Sequence, residues 1–271
     1  MIESDFKNAM HKAGVLIKDP VVADGKLHRF HIDGDKRNSK NGWYVLFGDE
    51  LPAGSYGNWK TCEQYTWCAR SPSELTLAQR TMHMKRMEEA RKLRELEEKV
   101  TRQNAQQKAN EIWESASIAP NNHPYLSKKG VKNYGLKFND GGLIVPLRDS
   151  AGALMSLQFI NGQGQKRFLF GGRKKGCCFT IGKPSNKLCI AEGYATAASI
   201  HEATGYPIAI SFDAGNLLPV AKSLRAKFPD LELVICADND SDKEKNVGLS
   251  KAKEAALAVG ALLSVAGVTY G

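Results

Sequence analysis

Short apolar runs alternate with longer mixed segments from residue 187 to the end of the sequence. The short runs predict strands over residues 188–191, 207–212, 231–237 and 262–265. The longer segments predict helices over residues 196–203, 217–228 and 250–259. Strands that alternate with helices indicate a parallel sheet that is covered by helices on both faces. We therefore expect an α/β domain over residues 187–271.

Residues 118–186 show a different rhythm, in which strand-like runs follow one another without a long helical segment between them. Strands are predicted over residues 143–147, 154–160 and 167–170. The sequences Ser-Ala-Gly and Asn-Gly-Gln-Gly separate these runs and favour turns, and residues 120–130 are loop-like. The pattern predicts a small antiparallel β subdomain.

The first 117 residues divide into a β-like part and a helical part. Residues 1–72 contain short runs at 27–32 and 43–47 and several Asp-Gly and Asn-Gly turn signals, which predict a small β-rich domain. Residues 73–117 contain no Gly or Pro and are rich in helix-forming residues, which predicts one long helix or two. Because the apolar residues of this segment form a broken stripe, the helix is either a solvated linker or a coiled coil that binds a partner.

The composition adds a positive charge to this picture. The 38 Lys and Arg residues outnumber the 29 Asp and Glu residues, which gives a formal net charge of +9. A positive field concentrates polyanions such as nucleic acid near the protein surface. The six cysteines lack the spacing of a disulfide framework, and no apolar stretch reaches the roughly 18–20 residues that span a membrane. We expect a soluble, cytoplasmic protein with reduced thiols.

Acidic residues follow two of the predicted strands in the α/β domain. Glu192 comes directly after the first strand, and Asp238, Asp240 and Asp242 follow the third. Because parallel strands end at the same edge of a sheet, these carboxylates are expected to lie close together. Carboxylates at one edge repel one another unless a cation lies between them, which predicts a site for Mg²⁺ or Mn²⁺. Alternatively, each acid caps a helix or faces water.

A cluster of basic residues precedes the α/β domain. Its members are Lys166, Arg167, Arg173, Lys174 and Lys175. They are expected to bind the phosphates of a nucleic-acid template or of a nucleotide, and the alternative is a solvated charge run at a hairpin. Asn216 follows the second predicted strand, where it either contacts nucleotide or caps a helix.

The sequence around the acids resembles the TOPRIM domain of primases, topoisomerases and some nucleases. The resemblance rests on Glu192-Gly193 after an apolar strand, on Ala-Asp-Asn-Asp at 237–240, and on the order of strands and helices over 187–271. It implies that Glu192, Asp238 and Asp240 are catalytic. It also implies that these three residues, with Asp242 as a weaker candidate, are ligands or acid/base groups at a Mg²⁺ or Mn²⁺ site.

The region in front resembles the small β subdomain that precedes TOPRIM in DnaG-type primases. The likeness rests on residues 142–154, 156–160 and 166–173, and it is closest to the primase portions of phage and plasmid primase-helicases, which residues 24–29 and 42–44 also resemble. The resemblance implies a DNA primase, a nucleotidyltransferase that makes short RNA primers on single-stranded DNA from ribonucleoside triphosphates. It further implies a replicative helicase domain or protein as partner, in a bacterial cell or a phage-infected host.

The domain over 1–72 occupies the place of the zinc ribbon in DnaG-type primases. Its candidate ligands are His28 with His31 and Cys62 with Cys68, and these pairs lack the spacing of a structural zinc site. We expect no zinc here, and we expect the Trp and Tyr residues to pack in a core rather than stack on bases. Because the sequence ends directly after the fourth predicted strand, we expect it to be a fragment of a longer protein.

Two other functions fit parts of the pattern. TOPRIM nucleases and topoisomerases share the acids, but they act with an ATPase or with a tyrosine nucleophile on a separate domain. The sequence shows neither companion and contains no G-x-x-x-x-G-K-[ST] loop. A non-catalytic module that binds single-stranded DNA would use the basic residues and leave the acids as structural groups.

Overall fold

The computed structural model describes residues 2–35, 39–61, 63–237 and 247–265. The chain divides into two compact units, one over 1–100 and one over 101–271. The sequence predicts a finer division into four segments, over residues 1–72, 73–117, 118–186 and 187–271, and that division stays a prediction. Among the described helices, none combines the length and the apolar character that a membrane span needs.

The unit over 1–100 contains one short helix and one antiparallel sheet. Its elements are α1 (Ile2–Lys12), β1 (His28–Phe30), β2 (Gly42–Phe47), β3 (Ala53–Asn58) and β4 (Glu63–Cys68). The four strands lie side by side in chain order. The predicted β-rich character is confirmed, but α1 was missed, although Glu3 and Asp5 in its first turn and His11 and Lys12 in its last turn complement the helix dipole.

Phe6 of α1 lies at the centre of this unit's core. Its fully buried ring makes edge-to-face contacts with Tyr44, Tyr56 and Trp67 at centroid distances of 5.9, 5.3 and 5.4 Å. Gly54 leaves room for the ring, because a Cβ atom there would lie 2.6 Å from it. Tyr44 and Tyr56 are buried, so the prediction that aromatic residues pack in a core is confirmed for them.

A single helix of 39 residues, α2 (Leu77–Ser115), follows the first sheet. It confirms the prediction of a long helix over this segment. Arg86 and Ala90 are buried in the unit over 1–100, and Ala105 and Ala109 are buried in the unit over 101–271. The helix is therefore part of the packing of each unit and is not a fully solvated linker.

An antiparallel sheet of five strands begins the unit over 101–271. Its strands lie in chain order and are β5 (Ser117–Ile118), β6 (Lys137–Asn139), β7 (Gly142–Arg148), β8 (Leu154–Ile160) and β9 (Lys166–Phe168). The predicted antiparallel β subdomain is thus confirmed. Part of the predicted loop at 120–130 is instead a short helix, α3 (Pro124–Lys129), because Pro124 opens its first turn and the His123 side chain accepts a hydrogen bond from the Tyr125 N–H.

The second sheet of this unit also has five strands, which alternate with helices along the chain. Its elements are β10 (Phe179–Ile181), β11 (Lys187–Ala191), α4 (Tyr194–Thr204), β12 (Ile208–Ile210), α5 (Ala214–Lys227), β13 (Glu232–Ala237), α6 (Val247–Val259) and β14 (Leu262–Val265). The strand order is β10-β12-β11-β13-β14, and all neighbours are parallel except β10, which is antiparallel to β12. The α/β prediction is confirmed, and only the short edge strand β10 was missed.

Alternate residues of β11 belong to two different cores, as the two-residue period of a strand requires. Leu188 and Ile190 pack with α5 and α6. Cys189 and Ala191 pack with α4 and with three alternate residues of β7. One core therefore joins the antiparallel sheet to the α/β sheet and fixes β9 relative to the ends of the parallel strands.

Tyr194, the first residue of α4, contributes a buried polar link to this shared core. Its side chain is 1% exposed. The hydroxyl donates to the Lys132 carbonyl at 2.9 Å and accepts from the Tyr134 N–H at 2.8 Å. Burial raises the pKa of Tyr194 above its ordinary value, so the hydroxyl stays protonated and able to donate.

We expect Tyr194→Phe to lower the stability of α4 and β11 by about 1–3 kcal/mol, because the substitution removes two hydrogen bonds to part-buried backbone groups. Hydrogen exchange of peptides from 187–204 measures the change. Tyr206→Phe is the matched control, because Tyr206 is exposed, and its effect is expected to stay within about 0.5 kcal/mol. Equal protection in both variants would contradict the assignment.

Candidate functional site

The carboxyl ends of β11 and β13 form the edge at which the predicted acids emerge. The two strands are parallel neighbours, and Ala191 lies opposite Cys236. Glu192 follows β11 directly and is partly buried, as expected for a residue at this edge. Strand β13 ends at Ala237, one residue before Asp238. Asp238, Asp240 and Asp242 lie outside the described residues, so their roles stay predictions.

Gly193 forms the junction between Glu192 and α4, and it is the N-cap residue of that helix. A Cβ atom added to Gly193 would lie 3.6 Å from the Nζ atom of Lys166 and near no other group within 4 Å. The Lys166 ammonium of β9 therefore lies beside the backbone that follows Glu192. The structure brings this predicted basic residue to the acidic edge.

Asp213 is a further acid at the same edge, and the sequence analysis did not select it. It follows β12 and caps α5, because its Oδ1 atom accepts from the Asn216 N–H at 2.9 Å. Its Oδ2 atom forms an ion pair with Lys174. The sequence does carry a signal for Asp213, because an acid between a predicted strand and a predicted helix is typical of an N-cap residue.

The backbone in front of Asp213 has an unusual conformation. Phe212 has a φ of +73°, which places a bulky side chain in the left-handed region that favours glycine. Its ring is buried and lies edge-on to the ring of Phe168, with centroids 6.2 Å apart. Such a conformation persists only where surrounding contacts hold it, and these contacts come from the end of β9.

Asn216 is 3% exposed, and its amide group is used entirely inside the protein. The Oδ1 atom accepts from the Gly176 N–H at 2.8 Å. The Nδ2 atom donates to the carbonyls of Cys177 and Ser211 at 3.0 and 2.8 Å. These bonds favour the structural alternative over nucleotide contact, although the residue that caps the helix is Asp213. Asn216 ties the loop after Lys175 to the start of α5.

We call residues 166–175 the basic segment, because its ten residues contain five cations and no acid. The last arginine of the segment and the lysine after it are paired with acids of the protein. Lys174 pairs with Asp213, and Arg173 pairs with Asp149 at 3.1 Å. The Oδ1 atom of Asp149 is itself held by the N–H groups of Ala151 and Ala153. These pairs hold the end of the segment in place.

The remaining cations of the segment are exposed. Arg167 lies over the ring of Phe159 at 5.3 Å from the centroid, and Lys175 is exposed without a side-chain partner among the described residues. Lys166 is exposed beside Gly193. Among the five predicted basic residues, two thus anchor the segment through ion pairs, and the other three have exposed side chains.

The turn after β9 is held by close backbone packing. Gly171 has a φ of +77°, and a Cβ atom there would lie 2.8 Å from the Thr101 methyl group of α2. A Cβ atom on Gly172 would lie 2.0 Å from the buried Oγ atom of Ser156. Only glycine fits these two positions without a shift of the backbone. The turn therefore has a fixed path between the antiparallel sheet and α2.

The candidate zinc ligands of the first domain have other contacts within that domain. His28 hydrogen bonds to Asp24 at 2.8 Å, and a nitrogen of His31 lies 3.1 Å from the Ser39 carbonyl oxygen. Cys62 lies outside the described residues, and the five described cysteines are free thiols. Burial raises the pKa of Cys178 to about 11. Within the described ranges, no group of three or more His, Cys, Asp and Glu side chains is placed to hold a metal ion.

The second sheet and its helices match a known family. Residues 186–264 match the family model described as the Toprim domain. They are a Toprim domain. The match covers β11 to β14 and includes Glu192, Gly193 and the segment with Asp238 and Asp240. The TOPRIM prediction for this part of the chain is thereby confirmed.

Two curated relatives extend the similarity beyond the Toprim domain. The chain is 34% identical over 279 residues to a DNA primase TraC of Escherichia coli, an alignment that covers 95% of this chain and 26% of that protein. A second DNA primase TraC of Escherichia coli is 34% identical over 276 residues, with coverage of 94% and 19%. The chain thus spans about a quarter or less of the curated relatives it matches. The predicted resemblance to DNA primases is confirmed.

Solved structures with some similarity also come from primases. One is a DnaG primase catalytic domain bound to single-stranded DNA, with 15% identity, a TM-score of 0.45, and coverage of 63% of this chain and 73% of that chain. Another is the primase fragment of the bacteriophage T7 primase-helicase protein, with 15% identity, a TM-score of 0.41, and coverage of 53% and 64%.

We expect Asn216→Ala to loosen the loop that links the basic segment to the Toprim domain. The substitution leaves the Gly176 N–H and two buried carbonyls without this partner, at a cost of about 1–3 kcal/mol for each unpaired buried group. Hydrogen exchange of peptides from 173–178 is expected to become faster. Asn186→Ala is the control, since Asn186 is an exposed amide of the same domain. An unchanged exchange rate in Asn216→Ala would remove the positioning role.

Proposed function

We propose that this chain is the catalytic part of a DNA primase, a nucleotidyltransferase that joins ribonucleotides on a single-stranded DNA template. The observation that carries the proposal is the meeting of Lys166 with the Glu192-Gly193 edge of a Toprim domain. The similarity to DNA primase TraC along 95% of the chain supports it. A replicative helicase domain or protein as partner, which the resemblance to phage and plasmid primase-helicases implies, is also part of the proposal.

The groups at the Toprim edge suit a divalent cation of the hard, oxygen-binding kind. Glu192 supplies a carboxylate at the end of β11, and Gly193 leaves the adjacent space free of a side chain. We propose that Asp238 and Asp240, with Asp242 in a weaker role, complete the ligand set, because β13 is the parallel neighbour of β11. Bound Mg²⁺ or Mn²⁺ would stabilise negative charge at the reacting phosphate and favour ionisation of the attacking hydroxyl.

The reaction joins the 3′-hydroxyl of one nucleotide to the α-phosphate of the next. A new P–O bond forms, the bond between the α- and β-phosphates breaks, and pyrophosphate leaves. We assign Glu192 either to the ligand set or to acceptance of the hydroxyl proton, since both roles need an ionised carboxylate at this place. Lys166 binds the triphosphate, because its ammonium lies beside the backbone that follows Glu192.

The basic segment has two tasks in this proposal. Arg173 and Lys174 keep the segment fixed through Asp149 and Asp213. Arg167 and Lys175 are exposed, and they bind template phosphates. This division of roles follows from pairing and exposure, because a cation already paired at short range gains less from a phosphate than an exposed one.

Primer synthesis on single-stranded DNA tests the catalytic assignment. With labelled ribonucleotides and Mg²⁺, we expect product from the wild-type chain and a loss of about 100- to 10,000-fold in Glu192→Gln, Asp238→Ala and Asp240→Ala. Asp230→Ala is the matched control, because Asp230 is exposed and precedes β13 at the opposite end of the strand. Its activity is expected to equal that of the wild type.

Other results of the same assay point to the alternative functions. Primer synthesis that survives in Glu192→Gln and Asp238→Ala would remove the assigned roles. Nicking of supercoiled plasmid without nucleotides would favour a Toprim nuclease or topoisomerase. Binding of single-stranded DNA that is insensitive to Mg²⁺, with no incorporation on any template, would favour a non-catalytic binding module.

The salt dependence of DNA binding tests the division within the basic segment. For single strands, each phosphate contact contributes about 0.7 to the slope of log K against log salt concentration. We expect Arg167→Ala and Lys175→Ala each to lower the slope by about this amount. Lys183→Ala is the control, because Lys183 is exposed but follows β10, outside the basic segment. An unchanged slope in both test variants would exclude these template contacts.

A further inference from the structure

Two phenylalanine rings of the basic segment are exposed. The side chain of Phe170 is 71% exposed, and that of Phe168 is 38% exposed. An isolated exposed apolar residue is common on protein surfaces. Here both rings lie within ten residues that contain five cations and no acid, so the segment combines exposed aromatic groups with positive charge.

The contacts of β9 show that this strand reaches the acidic edge. Lys166 lies beside Gly193, and Phe168, two residues along the same strand, meets the Phe212 ring. Leu169 packs with α2 in a core of the antiparallel sheet, and its N–H donates to the Leu157 carbonyl at 2.9 Å. Phe170 lies in the turn that follows β9, two residues after Phe168.

The position of Phe170 is fixed by its neighbours. Leu169 is packed before it, and Gly171 and Gly172 are packed after it against Thr101 and Ser156. The Gly172 N–H also donates to the Leu169 carbonyl at 3.2 Å. A ring on a fixed backbone has only two side-chain torsions to restrict on binding, so it loses little entropy.

We propose that the exposed ring of Phe170 is a stacking platform for unpaired bases of single-stranded DNA. The inference deepens the proposed function and rests on it for the choice of a DNA strand. Exposed rings bind the faces of bases, which only a single strand offers, and neighbouring cations bind its phosphates. Phe170 lies in the turn directly after β9, the strand that carries Lys166, so the platform would hold the template near the residue that we propose to bind the triphosphate.

Binding of labelled oligonucleotides to the full chain, without Mg²⁺ or nucleotide, tests the platform. We expect Phe170→Ala to weaken binding of a 12-residue thymidine oligonucleotide by about 5- to 150-fold, the range for loss of one stacked base. Phe170→Tyr retains a ring and is expected to bind like the wild type, whereas Phe170→Leu is expected to resemble Phe170→Ala. Leu257→Ala is the control for loss of an exposed apolar side chain, because Leu257 is 86% exposed on α6.

An abasic oligonucleotide of the same length separates stacking from charge. Wild type and Phe170→Ala are expected to bind it equally, because it has phosphates but no bases. Equal binding of the thymidine oligonucleotide by wild type and Phe170→Ala would overturn the inference, and so would an equal loss on both oligonucleotides. Because no chemistry is required, a wild-type chain that shows the stacking effect but makes no primer would contradict the proposed function and leave the platform standing.

Discussion

The apolar core shared by the antiparallel sheet and the Toprim sheet is the constraint on which the site depends. Alternate residues of β7 and β11 fill it together with α4, so neither sheet can shift without opening a cavity. The core has no chemistry of its own. It places β9, and with it Lys166, near the end of β11, which Glu192 follows directly. The proposed site is thus a consequence of packing between two different sheets.

Ion pairs and hydrogen bonds fix the path of the basic segment more closely than packing alone. Lys174 forms an ion pair with Asp213, the cap of α5, and Asn216 hydrogen bonds to the backbone that follows the basic segment. The first turn of α5 therefore holds both the Lys174 side chain and the loop after Lys175. An ion pair near a surface contributes little to stability by itself. Here two such pairs act together with a buried amide and two close-packed glycines, and their combined effect is to fix the path of an otherwise repulsive run of cations.

The sequence predicts the α/β order and the antiparallel strands because short apolar runs alternate with helical segments or with turn signals, and it predicts the long helix because residues 73–117 are rich in helix formers and contain no Gly or Pro. It also predicts the place of Glu192, because a polar residue directly after a buried strand must emerge at the sheet edge. It does not predict which cations pair. Asp149 and Asp213 are ordinary turn and cap residues in the sequence, and only the tertiary fold brings them to Arg173 and Lys174. The short elements α3 and β10 were missed because few residues carry their pattern, and α1 was missed although charged residues mark both of its ends.

The strained backbone at Phe212 depends on both the packing and the charge pairing around it. A phenylalanine at a φ of +73° is unfavourable by about 1–3 kcal/mol, so its local preference opposes the fold. The ring of Phe168 packs against it from the basic segment, and Asp213 directly after it caps α5 and pairs with Lys174. The turn after β12 is thereby held in the conformation that aims Asp213 at the segment. Because Phe168 takes part in this contact, β9 and the basic segment that begins with it are joined to the edge of the Toprim sheet.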